Sequence, residues 1–241
     1  MGVVKFNNIS SDSLGIIVET IPDYEMPLKK YERIHVPGRN GDIIVDSGDY
    51  ENVNRVYNMA IVRVGASAPT VSRNLSKWLN QPGYHRLEDS YQPDVYMMAV
   101  YEEGATITNL FDKAGRATIT FNRMPQRYLK IGEKPLVYDD KNDKKATITN
   151  PTDQIALPLI KVYGSGAGTV TIGPHVMTIS SMSGYLYIDS SKEDIHKDYT
   201  NMNGYVTITN GFPKIVGFGN IPVKFTGGVT RVDITPNWWV I

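Results

Sequence analysis

Apolar and polar residues alternate with a period of two along most of the chain, which predicts β-strands. In RATITFN, residues 116–122, the apolar side chains fall on one face and the polar side chains on the other. GVTRVDITP, residues 228–236, repeats this pattern, with Val232 and Ile234 opposite Arg231 and Asp233. Gly, Asn and Pro separate such segments, so the pattern is typical of a mainly β protein.

Residues 67–83 are the exception, because their apolar residues recur at the spacing of one helix face. These residues are Val71, Leu75, Trp78 and Leu79. Ser67 or Thr70 can accept hydrogen bonds from the free N–H groups of the first turn, and Pro82-Gly83 ends the segment. The sequence therefore predicts one helix within the N-terminal half.

A charged stretch with little apolar periodicity, residues 128–146, suggests a domain boundary. We predict an N-terminal domain over 1–132 and a C-terminal domain over 133–241, with the last strand free to return to the first domain. After the boundary, predicted strands recur at the spacing of a small β-sandwich. These are ATITN, LPLIKVYG, GTVTIG, HVMTIS, YLYID, YVTITN, FPKIVGFG, IPVKF and VTRVDI. The glycine-rich stretch at 163–173, YGSGAGTVTIG, is interpreted as a flexible hairpin turn.

The segment HVPGRNGDIIV, residues 35–45, could in principle cradle a phosphate or form a turn. Pro37 presets φ, and Gly38 and Gly41 permit the positive φ of a tight reversal. Asn40-Gly41 is the dipeptide favoured in two-residue hairpins. No helix is predicted to follow it, and a phosphate cradle needs one, so a turn is the favoured interpretation.

The composition narrows the function classes. Lys plus Arg and Asp plus Glu each number 25, and this balance argues against a dedicated binder of nucleic acid or of anionic membranes. The chain has no run of 18 apolar residues that would predict a membrane-spanning helix, and its N-terminus lacks the apolar core of a signal peptide. The absence of Cys excludes disulfides, thiolate metal sites and Cys nucleophiles.

Three patterns resemble chemical sites, but each has a simpler explanation. GASAP at 65–69 is close to a nucleophile elbow, yet Pro69 stands where a small residue is needed and Ser67 suits a helix cap. Asp194, His196 and Asp198 could offer metal ligands, but they lie in a polar, loop-like stretch. YDDKNDKK, from 138, lacks the Gly and Glu of a calcium loop. We therefore predict no catalytic, cofactor or metal site, and this favours a structural or assembly protein.

Two adjacent aromatic residues, Trp238 and Trp239, close the chain in TPNWWVI. In a strand they would face opposite sides, so one could be buried and the other exposed. Packing in a core or between subunits is the favoured role, because large aromatic residues usually serve burial. Stacking on sugar rings is the other interpretation, and it supports an alternative function as a carbohydrate-binding module or host-wall adhesin.

The order of motifs along nearly the whole chain resembles the distal tail proteins of siphophages, especially those of Gram-positive hosts. Where that family often has Pro-Arg-Trp near its end, this chain has Pro236-Asn237-Trp238. The motifs that carry the resemblance are MGVVKFNNISSDSLGIIVETIP, HVPGRNGDIIVDSGDYENV, LSKWLNQPGYHRLEDSYQPDVYMMAVY, NPTDQIALPLIKVYGSGAGTVTIG, GYLYIDSSKED and TRVDITPNWWVI.

The resemblance implies a tail-tube-like β-sandwich with one flanking helix, followed by a galectin-like β-sandwich. It further implies a homohexameric ring, single or double, at the virion tail tip, assembled in the host cytoplasm. The implied partners are the tail tube protein, the tail-tip hub or tail-associated lysin, and receptor-binding or baseplate proteins, with no enzyme activity. Arg39, Trp238 and Trp239 are the candidate contacts to neighbouring subunits or partners.

Overall fold

The computed structural model describes residues 2–62, 68–111, 114–139 and 145–241, which form two compact units. The first unit contains Met1–Arg127 and Ile241, and the second contains Tyr128–Val240. The predicted fold class, mainly β with one helix in the N-terminal half, is confirmed over the described residues. None of the helices in these ranges has the length and apolarity that crossing a bilayer requires.

The first unit holds one α-helix in its described part, and most of its strands are short. Its elements are β1 (Val4–Phe6), β2 (Ile9–Ser10), β3 (Ile16–Val18), β4 (Lys29–Ile34), β5 (Ile43–Tyr50), β6 (Val53–Val62), α1 (Ala68–Leu79), β7 (His85–Asp89), β8 (Val95–Tyr101), β9 (Ile107–Phe111) and most of β10 (Ala114–Leu129), with a 3₁₀ turn at Ser11–Leu14.

The main sheet of this unit curls until its two ends meet. Its strands lie in the order β2-β1-β7-β8-β10-β6-β3, and β9 pairs with β10. Gly2, immediately before β1, also pairs with Val18 of β3 at the far end of that order. Each backbone N–H of this pair donates to the other residue's carbonyl, at 3.1 and 2.9 Å. The curled sheet therefore encloses an apolar core.

Helix α1 packs against this core with the face that its sequence predicts. The four apolar residues of that face, Val71, Leu75, Trp78 and Leu79, are buried. The indole N–H of Trp78 donates to the Phe6 carbonyl at 3.1 Å, and the Phe6 ring packs against Phe121 with centroids 4.8 Å apart. The helix prediction is confirmed, while the predicted cap at Ser67 lies outside the described residues.

The second unit consists of strands and 3₁₀ turns in its described part. Its strands are β11 (Leu136–Asp139), β12 (Lys145–Thr149), β13 (Leu159–Ile172), β14 (His175–Asp189), β15 (Asp194–Lys197), β16 (Thr200–Asn201), β17 (Val206–Thr209), β18 (Asn220–Thr235) and β19 (Trp239–Val240), with 3₁₀ turns at Lys130–Glu133 and Asn203–Tyr205. The sheet order is β11-β18-β13-β14-β15-β16, with β12 beside β18 and β17 beside β14.

Three long strands, β13, β14 and β18, replace several short strands that the sequence predicts. LPLIKVYG and GTVTIG fall largely within β13, and IPVKF and VTRVDI are parts of β18. FPKIVGFG, predicted as a strand, contributes only an isolated bridge between Ile215 and Ala156. Strand segments that glycines interrupt in the sequence are continuous in the sheet, so the strand count from sequence is too high.

The glycine-rich stretch at 163–173 is a bulged segment inside β13 rather than a hairpin turn, so that prediction is wrong. Here β13 and β18 approach so closely that a Cβ on Gly164 would lie 2.1 Å from the Gly228 oxygen, and one on Gly228 would lie 1.9 Å from the Ser165 oxygen. The pairing with β18 also shifts register at this point, and such bulges bend strands. The turn itself begins only at the last residue of the stretch, at Gly173-Pro174.

Candidate functional site: an exposed two-stranded arm

Strands β4 and β5 form a hairpin that pairs with no other strand of the described residues. Ile34 pairs with Ile43 at the loop end, and Lys29 pairs with Tyr50 at the other end. We call residues 28–50 the arm. A two-stranded hairpin is at best marginally stable alone in water, so this element requires further contacts.

Apolar side chains are exposed on both faces of the arm. Ile44 is 61% exposed on one face of the arm. Its neighbours in sequence, Ile43 and Val45, point to the opposite face and are exposed as well. The exposed apolar residues of the arm are Leu28, Tyr31, Ile34, Ile43, Ile44 and Val45. The exposed apolar surface continues into the preceding segment, where Met26 is 87% exposed. Because exposed apolar side chains cluster here, the arm is a candidate interaction surface.

Ion pairs across the two strands fix the register of the arm. Lys29 pairs with Asp46, and Lys30 Nζ lies 3.0 Å from Asp49 Oδ2. The hydrogen bond from Lys30 to Asp49 raises the pKa of the lysine. Exposed ion pairs of this kind contribute little to stability. They link the two strands, but they do not replace a hydrophobic core.

The loop of the arm contains the predicted turn, although the turn is not the one that Asn40-Gly41 suggests. The Arg39 N–H donates to the Val36 carbonyl at 3.1 Å, so Pro37-Gly38 occupy the centre of a tight turn, with Gly38 at φ 81°. The expectation of a two-residue connection at Asn40-Gly41 is wrong, because residues 35–42 all belong to the loop between β4 and β5. The whole loop is exposed except Val36, and Arg39 is therefore accessible to a neighbour.

Buried arginines hold the segment that leads into the arm. Arg55 donates to the Asp23 carbonyl, and its guanidinium lies over the Tyr24 ring at 4.8 Å from the ring centroid. Arg123 donates to the Glu25 carbonyl at 3.2 Å. These contacts anchor the segment before the arm to the first unit, and they leave the arm itself projecting from a fixed base.

The charge of Arg55 is balanced inside the unit. Its Nη2 donates to Asp89 Oδ2 at 3.0 Å, and the side chains of the two residues are 5% and 0% exposed. The Tyr57 hydroxyl donates to the same oxygen at 2.8 Å. Burial and the Asp89 charge raise the pKa of Tyr57, so the phenol stays neutral and remains a donor. No pattern in the sequence points to this network, because Asp89 lies on a different strand, 34 residues after Arg55.

Trp238 and Trp239 lie in the second unit in different environments. Trp238 is 4% exposed and packs at Gly132, where a Cβ would lie 2.5 Å from the Trp238 nitrogen. Trp239 is half-buried, and its indole N–H donates to the Ile155 carbonyl at 2.9 Å. The buried ring of Trp238 is not available to a partner or a sugar, which leaves Arg39 and Trp239 as the accessible candidates.

The candidate metal ligands do not form a cluster. His196 Nδ1 lies 3.3 Å from Asp194 Oδ2, whereas Asp198 accepts a hydrogen bond from Tyr185 at 2.6 Å. Across the ranges that the structure describes, no three His, Cys, Asp or Glu side chains are placed to hold one ion. The calcium-loop pattern from 138 falls largely on residues 140–144, outside those ranges.

Similarity to known proteins is found in the structure and not in the sequence. No family model matches the chain, and no curated protein sequence matches it. Among solved structures the chain is similar to the SPP1 Dit (gp 19.1) protein, described as a paradigm of the hub adsorption apparatus in phages that infect Gram-positive bacteria. The TM-score is 0.76 at 11% sequence identity, and the match covers 100% of both chains. The resemblance drawn from the motif order is therefore confirmed for the fold.

Proposed function

We propose that this chain is a structural protein of a phage tail, located at the tail tip. The observation that carries the proposal is the match to the SPP1 Dit fold over the full length of both chains. A match that included only one of the two units would support a shared domain, whereas this one extends through both. The motif order in the sequence supports the same assignment.

In more detail, we propose a distal tail protein that forms a homohexameric ring. The domain over 1–132 would build the ring against the tail tube and the tail-tip hub protein. The domain over 133–241 would hold receptor-binding or baseplate components. A ring of one kind of subunit uses two different surfaces at each contact, so every copy must present a patch that fits another patch on its neighbour.

The arm supplies such a patch. It has exposed apolar residues on both faces, and an exposed strand edge can pair with an edge of another subunit. Burial at an interface of the 61% of Ile44 that is exposed would stabilise association by about 1–2 kcal/mol. The arm would be ordered by its neighbour, which accounts for a hairpin that has no core of its own.

The test is the assembly state of Ile44→Asp beside that of the wild type. Val216, also exposed but in the second unit, gives the matched control Val216→Asp. We expect the wild type and the control to scatter light with about six times the subunit mass of 26.9 kDa, and to show rings by negative-stain microscopy. Ile44→Asp should be monomeric with an unchanged circular dichroism spectrum, because a buried unpaired carboxylate disfavours the interface.

Two results would contradict these proposals separately. A wild type that stays monomeric at tens of micromolar, alone and with tail-tube or hub protein, would overturn the ring. An Ile44→Asp variant that still forms rings would overturn the role of the arm and leave the ring intact. Arg39→Ala is the finer probe, since it should weaken ring formation if Arg39 contacts a neighbour and leave oligomer size unchanged if the loop is only a turn.

A further inference from the structure

The chain contains three Asn-Gly dipeptides, at 40–41, 203–204 and 210–211. In such a dipeptide the glycine has no side chain to shield its backbone nitrogen, and this nitrogen can attack the side-chain amide carbon of the asparagine. The product of the attack is a five-membered cyclic imide. All three asparagines and all three glycines are exposed, so access to solvent does not distinguish the sites. The hydrogen bonds of each asparagine do distinguish them.

Asn40, in the loop of the arm, has no restraint on either reacting group. Over the residues that the structure describes, neither its side-chain amide nor the Gly41 N–H has a hydrogen-bond partner. A Cβ placed on Gly41 would meet nothing within 4 Å, so the space around this glycine is open. The Asn40 side chain can therefore rotate until its amide carbon faces the Gly41 nitrogen, which is the geometry that ring closure requires.

The side-chain amide of Asn203 is held at both of its ends. Its Oδ1 accepts a hydrogen bond from the Ile195 N–H at 2.8 Å, and its Nδ2 donates to Asp194 Oδ1 at 3.1 Å. Asn203 is also the first residue of a 3₁₀ turn, which restricts its backbone. Both side-chain hydrogen bonds have to break before the amide carbon can turn towards the Gly204 nitrogen.

Asn210 is held through its side chain and through its backbone. Its Nδ2 donates to the Pro174 carbonyl at 2.8 Å. His175 Nδ1 lies 3.0 Å from the Asn210 carbonyl oxygen and 3.1 Å from the Gly211 carbonyl oxygen. Because both of these acceptors are carbonyl oxygens, Nδ1 carries the proton and donates it. The imidazole thus fixes the backbone of the dipeptide while Pro174 fixes the amide.

We propose that Asn40 is a site of spontaneous modification, at which the native protein converts asparagine to aspartate and isoaspartate while Asn203 and Asn210 remain intact. The Gly41 nitrogen forms a bond to Cγ of Asn40, the Cγ–Nδ2 bond breaks, and Nδ2 leaves as ammonia with the proton of the Gly41 N–H. Water then adds to either carbonyl of the imide and reopens the ring. The net change is amide plus water to carboxylate plus ammonium, so the reaction needs no oxidant or reductant.

The modification changes the surface of the arm at the position next to Arg39. Each event adds a negative charge to a chain in which Lys plus Arg and Asp plus Glu are equal in number. The isoaspartate product also adds a methylene group to the backbone of the loop. Both changes follow from the chemistry of the loop whether or not a neighbouring subunit contacts it, so this inference does not depend on the proposed function.

Peptide mass spectrometry follows the three sites in the native full-length chain during incubation at physiological pH and temperature. Replacement of NH by O gives the mass gain, and fragment ions locate it. We expect Asn40 to react at least about tenfold faster than Asn203 and Asn210, because held amides must first lose their hydrogen bonds by local opening. In about 6 M guanidinium chloride, which removes these contacts, the three rates should agree within about threefold.

Two variants connect the reaction to the loop of the arm. Asn40→Ser, a small polar replacement at an exposed position, should abolish the acidic species that the wild type accumulates on ion exchange. Ile44→Asp, expected to be monomeric, serves as a second sample in which no neighbour covers the loop. A slow Asn40 in the wild type together with a fast Asn40 in Ile44→Asp supports the inference and shows that assembly protects the loop.

Three results would overturn the inference. The first is an Asn40 that reacts no faster than Asn203 and Asn210 in both the native wild type and Ile44→Asp. The second is a difference between the sites that persists unchanged in guanidinium chloride, since the hydrogen bonds would then not be its cause. The third is an acidic species that accumulates equally in Asn40→Ser.

Discussion

Replacement of Asp89 by Asn tests whether the buried ion pair under the arm holds the first unit together. Asn keeps the shape of the side chain and removes its charge. Arg55, whose side chain is 5% exposed, would then be buried without its carboxylate. The amide would also present a donor or a neutral acceptor where Arg55 and Tyr57 both donate. Loss of one partner of a buried pair typically costs about 3–5 kcal/mol.

We therefore expect Asp89→Asn to lower the free energy of unfolding by about 4 kcal/mol at neutral pH. With a urea dependence of about 2 kcal/mol per molar, the midpoint of urea unfolding should fall by about 2 M. Circular dichroism at several urea concentrations measures this shift. Asp94→Asn, at an exposed position of the same unit, is the control and should stay within about 0.5 kcal/mol of the wild type.

A double variant separates charge imbalance from a general loss of packing. Arg55→Met with Asp89→Asn leaves no buried charge in the pair, so it should be more stable than Asp89→Asn alone. The reasoning is refuted if Asp89→Asn lies within about 1 kcal/mol of the wild type, or if the double variant is no more stable than the single one.

Two further predictions concern the second unit. Gly228→Ala places a Cβ 1.9 Å from the Ser165 oxygen, so urea unfolding should show a loss of about 3 kcal/mol or more, while Gly204→Ala, with open space around it, should change little. Burial alone would raise the pKa of Asp189, but hydrogen bonds from Ser191 and Lys192 lower it overall. Its stabilising contribution is therefore fully present above the ordinary pKa of 3.8 and is lost as pH falls through the lower folded-state pKa. The stability gap between wild type and Asp189→Asn should be constant above about pH 5 and should narrow as pH falls below that value.

Local sequence pattern determined the elements whose signal lies within a few residues. The helix face from Val71 to Leu79 follows from its 3.6-residue period, and the buried face of β10 follows from alternation at Ala117, Ile119 and Phe121. The reversal at Gly38 follows from the conformational preferences of Pro and Gly. In each case the backbone preference and the apolar pattern agree, so no distant residue is needed to decide the outcome.

Tertiary structure decided which apolar faces are covered, a question that hydrophobic periodicity alone does not answer. Alternation shows which residues share a face, but it does not show whether that face is covered, and Ile43, Ile44 and Val45 would equally suit a buried strand. The glycines of 163–173 look like a turn because the same freedom of φ serves turns and close strand approach. Only the pairing of β13 with β18 shows that close approach is their role.

Some features of the candidate site can be named from the sequence, and others become visible only in the fold. Arg39 can be named from its place in a turn, and the exposure of its loop agrees with that choice. Trp238 can be named from its residue type, but packing at Gly132 buries it. The buried pair of Arg55 and Asp89 has no sequence signal, because the two residues come from different strands, β6 and β7, and meet only in the folded unit. The sequence by itself specifies local conformation and side-chain chemistry, and only the fold brings distant charges together and decides which apolar faces stay exposed.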